Sequence, residues 1–193
     1  MTWSILARDP GTGLFGIAIA SKFFAVGAPC PWARGGAGII WTQALVNPVL
    51  GHDGLAFLEG GMAAGAALDA LIAADDGRDH RQLHVMDWQG RAAAPTGAAG
   101  ISGCGHETAE GLSVAGNMLA GLDLVARLLA AMRAGEAAGG DKRGRQAAAI
   151  LIQGPEPYAR LSLRVDDHAD PLAERDAGKP LGRRADPPDR GGP

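Results

Sequence analysis

Thr2 carries the sharpest chemical signal in the sequence. Processing generally removes an initiator Met before a small residue such as Thr. Once Met1 is gone, position 2 holds a hydroxyl nucleophile and a free α-amine on the same residue. An α-amino group titrates near about 7.7–8.0, so at working pH a useful fraction is neutral and can accept the hydroxyl proton. A Thr hydroxyl activated by its own terminal amine is an established nucleophile arrangement. A cation such as Lys22 close by would lower the pKa of that amine further. Met-Thr beginnings are common and mostly carry no meaning; what raises this one is that Thr2 opens the first strand of a hairpin.

Other signals are weaker. Gly11-x-Gly13-x-x-Gly16 matches the dinucleotide fingerprint letter for letter. That motif works only when a helix N-terminus follows and its amides hold the pyrophosphate. Here Leu14 to Ala20 reads as a strand, so the glycines belong to a hairpin turn and no cofactor is expected. Cys104-x-His106-Glu107, with His52, His80, His84 and His168 elsewhere, lacks the paired ligand spacings of structural zinc. No metal is assigned, although the acidic run from Asp166 to Asp170 leaves a cation site open beside its plainer reading as a solvated strand end. Gly111-Leu-Ser-Val-Ala115 misses the last glycine of a nucleophile elbow. Ser21 and Lys22 are adjacent and point to opposite sides of a strand, so Lys22 serves as base for Ser21 only if the chain bends there.

The elements that must position these residues follow from alternation and turn chemistry. Strands are predicted over Trp3–Arg8, Leu14–Ala20, Gly38–Leu45 and Gln82–Trp88, with a return strand from Arg91 after a Gln89-Gly90 turn. The stretch Ser21–Ala33 reads as irregular, because Pro29 and Pro31 block regular pairing. Asp53 is placed as the N-cap of one helix running to about Ala74, weakened by Gly60, Gly61 and Gly65. Short strands are expected within the glycine-rich stretch 97–116. A second helix covers about Leu122–Ala134 with Gly135 as its stop. Two more strands fall at Gln146–Gln153 and Arg160–Asp166. Hairpins with helices grouped between them predict an α+β arrangement of largely antiparallel sheet.

Composition narrows the function classes. The chain has 193 residues, of which 47% are hydrophobic and 20% charged, and a net charge of −3. That fits one domain with a single large core, over residues 1–174. The remainder, 175–193, is rich in Arg, Asp, Pro and Gly and is expected to be a disordered tail. A mildly acidic chain offers no basic stripe for nucleic acid. No apolar run is long enough to span a membrane. The N-terminus lacks the basic and apolar regions of a secretory signal, and the two cysteines, Cys30 and Cys104, cannot form a disulfide framework; a cytoplasmic protein is expected. Gly/Ala-rich helix faces permit the close packing of a homo-oligomer.

Several long blocks carry a resemblance. The opening Met-Thr-Trp-Ser-Ile-Leu-Ala-Arg-Asp-Pro and Gly16-Ile-Ala-Ile-Ala-Ser-Lys-Phe-Phe-Ala-Val-Gly-Ala are among them, as are Pro31-Trp-Ala-Arg-Gly-Gly-Ala-Gly and Trp41-Thr-Gln-Ala-Leu-Val-Asn-Pro. Further on come Gly116-Asn-Met-Leu, Gly139-Gly-Asp-Lys-Arg-Gly-Arg-Gln-Ala-Ala and Leu163-Arg-Val-Asp-Asp-His. Together they resemble the family known as domain of unknown function 1028, which is grouped with the N-terminal nucleophile (Ntn) hydrolases. The resemblance implies a four-layer αββα sandwich of two mainly antiparallel sheets. It implies Thr2 as nucleophile, Lys22 as the cation that stabilises it, and Asn117 and Gln43 as side-chain oxyanion donors. Asp141 is implied as the acidic residue that orients the terminal amine. Members of the family continue past the Asp-Asp-His block into a helix; residues 175–193 lack that periodicity. The expected activity is hydrolysis of a small amide or peptide. The alternative is a non-catalytic scaffold of the same fold, binding a small ligand or a protein partner.

Overall fold

The first two strands pair through a tight turn that Asp9 organises. Strand β1 (Thr2–Arg8) and β2 (Phe15–Ser21) run antiparallel, with Thr2 opposite Ser21 and Arg8 opposite Phe15. The Asp9 carboxylate accepts from Gly11 N at 2.9 Å and from Thr12 Oγ1 at 2.5 Å. Gly13 adopts φ 71°, a left-handed conformation that a side chain disfavours. The fingerprint glycines therefore lie in a turn and the strand after it, with no helix N-terminus following. The computed structural model describes residues 1–99, 102–121, 123–134, 147–155 and 159–165. Gly135, Asp141, the acidic run Asp166–Asp170 and the 175–193 tail fall outside the described residues.

Two readings of the following segment need correction. Ser21–Ala33 is not irregular throughout, because β3 begins at Pro31 (Pro31–Arg34) and pairs with β4 (Gly38–Ala44). β3 is an edge strand and Pro31 its first residue, where a missing N–H is tolerated. The single helix from Asp53 to Ala74 is two helices, α1 (Pro48–Glu59) and α2 (Ala64–Ala74). Asn47, not Asp53, caps the first: its side chain accepts from Val49 N at 3.2 Å, and Pro48 enters the first turn without a donor to satisfy. The break falls where Gly61 takes φ 85°.

Of the remaining elements, β5 (Arg81–Asp87), α3 (Asp123–Ala134), β9 (Ala147–Gln153) and β10 (Ala159–Val165) follow expectation to within one residue at each end. β6 (Ala92–Ala93) is the return strand, and β7 (Gly105–Ala109) and β8 (Leu112–Asn117) are the strands of the glycine-rich stretch, with β8 running one residue past it. They complete a six-stranded sheet, ordered β10-β9-β2-β1-β8-β7, and a four-stranded sheet, ordered β3-β4-β5-β6. Every strand pairing among the described residues is antiparallel. The protein is thus α+β, with two antiparallel sheets and three helices among the described residues.

Alternation sorts each strand's side chains between two faces. Leu6, Phe15, Ile17 and Ile19 of the larger sheet meet Ile39, Trp41 and Met86 of the smaller one. On the far side of the smaller sheet, Leu55, Leu58, Leu68 and Leu71 of α1 and α2 cover Ile40, Leu83 and Val85. Leu124, Val125 and Leu128 of α3 cover Ile5 and Val114 on the outer face of the larger one. Burying each such side chain stabilises the fold by about 1.5–3 kcal/mol. Gly51 lets α1 approach the sheet, since a Cβ there would collide with the Trp32 ring. Among the described residues no helix is long and apolar enough to cross a membrane.

Candidate active site at one end of the sheet interface

Register assembles the site. Thr2 faces Ser21 of β2 on one side and Asn117 of β8 on the other, so all three side chains project from the same face of the larger sheet. Thr2, Ser21 and Asn117 line a cavity of about 160 Å³ together with Met1, Lys22 and Ala44. Phe23 and Met118 complete its wall. Thr2 Oγ1 and Ser21 Oγ share a hydrogen bond of 2.8 Å. Ser21 Oγ donates to the Met1 carbonyl at 3.2 Å and accepts from Phe23 N at 3.0 Å. The Ser21 proton is thereby committed, so Thr2 is the donor in the bond they share. The backbone N–H of Lys22 also donates to the Met1 carbonyl, at 3.3 Å.

The cavity wall is bent where it meets the sheets. Ala44 (φ 67°) and Met118 (φ 54°) are two of the three non-glycine residues with left-handed backbone among the described residues. Such a conformation costs about 1–2 kcal/mol per residue. Each directly follows a candidate residue, Gln43 or Asn117, at the end of its strand. Strain of this kind clusters at functional sites, held in place by the surrounding structure.

Behind the cavity lies a buried polar network between the sheets. Gln43 Oε1 accepts from Trp41 Nε1 at 2.8 Å and from Ser4 Oγ at 2.9 Å, while its Nε2 donates to Gln82 Oε1 at 2.5 Å. Gln82 Oε1 also accepts from Asn117 Nδ2 at 3.3 Å. Gln82 is pinned by its other end, since Nε2 faces Thr96 Oγ1, Gly105 O and Gly116 O, each at 2.9 Å. Asn117 therefore has its amide orientation set by a residue whose own orientation is fixed. His84 Nε2 lies 3.3 Å from Ser4 Oγ, and its Nδ1 2.6 Å from Ser113 Oγ. Because Ser4 donates to Gln43, His84 must donate from Nε2 and accept at Nδ1. Burial pushes its pKa down to about 3, with His106 contributing, so the ring is neutral.

The sequence-derived site residues divide accordingly. Thr2, Lys22 and Asn117 meet in one cavity. Gln43 stands behind it with its amide spent on Gln82, and Asp141 is outside the described residues. Ser21 is a wall residue that pairing it with Lys22 did not reveal. Gln82 and Ser4 were missed as well, and His84 and Ser113 were weighed only as a zinc ligand and as the serine of an incomplete elbow. Their signal was present: Thr2 and Ser4 alternate with Trp3 and Ile5, as Gln82 and His84 alternate with Leu83 and Val85. Cys30 and Cys104 are both free, and burial pushes the Cys30 thiol up to about 12, which makes it a poor nucleophile. Among the described residues no group of three His, Cys, Asp or Glu comes together to hold a metal.

Fold and site define an α+β protein of two facing antiparallel sheets, with a threonine-centred cavity at one end of their interface. The chain belongs to the Family of unknown function (DUF1028), whose model matches residues 2–126 and 120–175. It is similar to a protein of that family from Silicibacter pomeroyi known by crystal structure. That similarity has a TM-score of 0.81 and 30% identity, and covers 91% of this chain and 83% of the other. No curated protein matches the chain.

Proposed function

We propose that this chain is an Ntn-type amide hydrolase whose nucleophile is Thr2 once Met1 has been removed. The helix–sheet–sheet–helix order of its layers supports an αββα sandwich of the Ntn kind. One observation carries the reading: Thr2 lines a cavity together with Lys22, Asn117 and Ser21. In the proposed reaction the neutral Thr2 amine takes the Oγ1 proton while Oγ1 attacks the carbonyl carbon of a small amide or peptide. The resulting ammonium protonates the leaving nitrogen, which departs as an amine and leaves an ester on Oγ1. Water then loses a proton to the Thr2 amine and attacks the ester carbon; the C–Oγ1 bond breaks as the Thr2 ammonium returns that proton to Oγ1, and the acid is released. The Asn117 amide and the Lys22 cation face the charge that develops on the carbonyl oxygen. Gln43 acts at one remove, holding Gln82 against Asn117.

The test is kcat/KM for Thr2→Ser and Thr2→Ala on a panel of amino-acid p-nitroanilides and small carboxamides, with intact mass establishing that Met1 is absent. Thr2→Ser should keep measurable activity, and Thr2→Ala should lose about 10³-fold or more. Equal rates in Thr2→Ala and the parent chain would end the reading.

A second reading, a non-catalytic scaffold, is favoured by the packing of Met1. Its side chain is only 1% exposed and lies in the core cluster under α3. A chain that keeps Met1 has the Thr2 nitrogen bound in a peptide bond, where it cannot act as base. Full retention of Met1 in protein purified from cells would favour this scaffold.

A further inference from the structure

Met1 is held as a ligand is held. Its side chain packs against Leu119 and the α3 leucines, buried among apolar neighbours. Its carbonyl oxygen accepts from two donors in the cavity wall, Ser21 Oγ at 3.2 Å and Lys22 N at 3.3 Å. Removal of Met1 therefore does two things at once. It leaves a methionine-shaped apolar space under α3 at the edge of a cavity that Met1 itself lines, and it leaves two hydrogen-bond donors, Ser21 Oγ and Lys22 N, without their acceptor. An apolar hole of this kind stays dry and gains by taking up an apolar group. Donors left unpaired in a desolvated wall gain by meeting an oxygen. Two exposed apolar side chains stand beside the cavity: Phe23, which lines it next to the exposed Lys22, is 53% exposed, and Leu45, next to the lining residue Ala44, is 55% exposed.

We infer that the place Met1 vacates is the acyl subsite of the mature chain, and that it takes amides with an unbranched, uncharged apolar acyl group. The chain of that group fills the space of the Met1 side chain, and its carbonyl oxygen accepts from Ser21 Oγ and Lys22 N. The inference rests on the reading that Met1 is removed. It adds to that reading the class of substrate, and it gives Ser21 and the Lys22 backbone a binding role distinct from the Lys22 ammonium.

Two forms of the full chain test it, released from a cleavable fusion so that one begins at Met1 and the other at Thr2. The probes are hexanamide, the branched pivalamide and the anionic succinamate, with binding followed by ligand-observed NMR and product release by chromatography. Hexanamide should bind the Thr2 form at least tenfold more tightly than the Met1 form, and more tightly than either other amide binds. Ser21→Ala in the Thr2 form should weaken hexanamide about tenfold, with a thermal melt verifying that the variant is folded. Equal binding of hexanamide to both unsubstituted forms, or a preference for succinamate or pivalamide, overturns the subsite. Hexanamide bound selectively but not hydrolysed supports the subsite and removes Thr2 as nucleophile. Hydrolysis of all three amides at equal rates keeps the nucleophile and removes the subsite.

Discussion

The interface between the two sheets has two halves built on different physics. In one, Leu6, Phe15, Ile17 and Ile19 meet Ile39 and Met86, and Phe15 stacks obliquely on Trp88 with ring centroids 5.1 Å apart. In the other, β1, β4, β5 and β8 present Ser4, Gln43, Gln82, His84, Ser113 and Asn117, all buried. Trp41 stands at the junction, its ring in the apolar half and its Nε1 bonded to Gln43. Apolar burial is non-directional, so the first half supplies stability and tolerates small adjustments. Hydrogen bonds in a dry interior are directional and costly to leave unmade, so the second half fixes orientations. The oriented half is the one that adjoins Thr2. An amide that is to meet a reacting carbonyl, the role proposed for Asn117, needs a set direction more than it needs extra burial, which explains why polar side chains occupy so much of this core.

Substitutions should separate the halves by kind as well as by size. Gln82→Leu should have the largest effect. It removes the acceptor of Gln43 Nε2 and Asn117 Nδ2 and the donor to Thr96, Gly105 and Gly116 at one stroke. Each buried group left unpaired costs about 1–3 kcal/mol, so the loss in urea melts should exceed that of any single apolar truncation in the interface. Phe15→Ala should cost about 3–5 kcal/mol, while the molecules still folded retain the parent kcat/KM, because nothing in that half touches the cavity. A Gln82→Leu protein as stable as Phe15→Ala would mean that the network is worth no more than its volume.

This division was only partly legible in the sequence. Strand positions were, because Trp3–Arg8 and Gln82–Trp88 alternate and Asp9-Pro10-Gly11 can only be a turn. Thr2 was legible from its place in the chain, and Lys22 and Asn117 came with the family resemblance. The α1–α2 break was not read, since the apolar spacing from Leu55 to Ile72 runs on past Gly61 and only its left-handed φ ends the helix. β3 was hidden because Pro31 signals a break in the chain but not that it opens an edge strand. The polar half was hidden for another reason. Ser4, Gln82 and Ser113 become partners only when strands far apart in sequence are laid side by side, and register is a property of the pairing. A single strand does show that its inward positions are polar; it does not show what they meet.

His84 sharpens the comparison most finely, because it tests the polar half without removing an atom. Burial holds its folded pKa at about 3, against about 6.5 in the unfolded chain. Between those values the unfolded chain binds a proton that the folded chain refuses. Stability therefore rises with pH across this window and is lost as pH falls below about 6.5, at up to about 1.4 kcal/mol per unit. By pH 5 the loss should reach about 2 kcal/mol. His106, also lowered by burial, adds a slope of the same sign, so the informative quantity is the difference between the parent and His84→Gln. His84→Gln should be less stable than the parent at pH 7.5 and should lose less on acidification to pH 5. If both chains lose stability in parallel, the buried ring does not govern the acid limb. The polar half would then be wet enough to solvate a charge, and it could no longer be the rigid backing that orients Asn117.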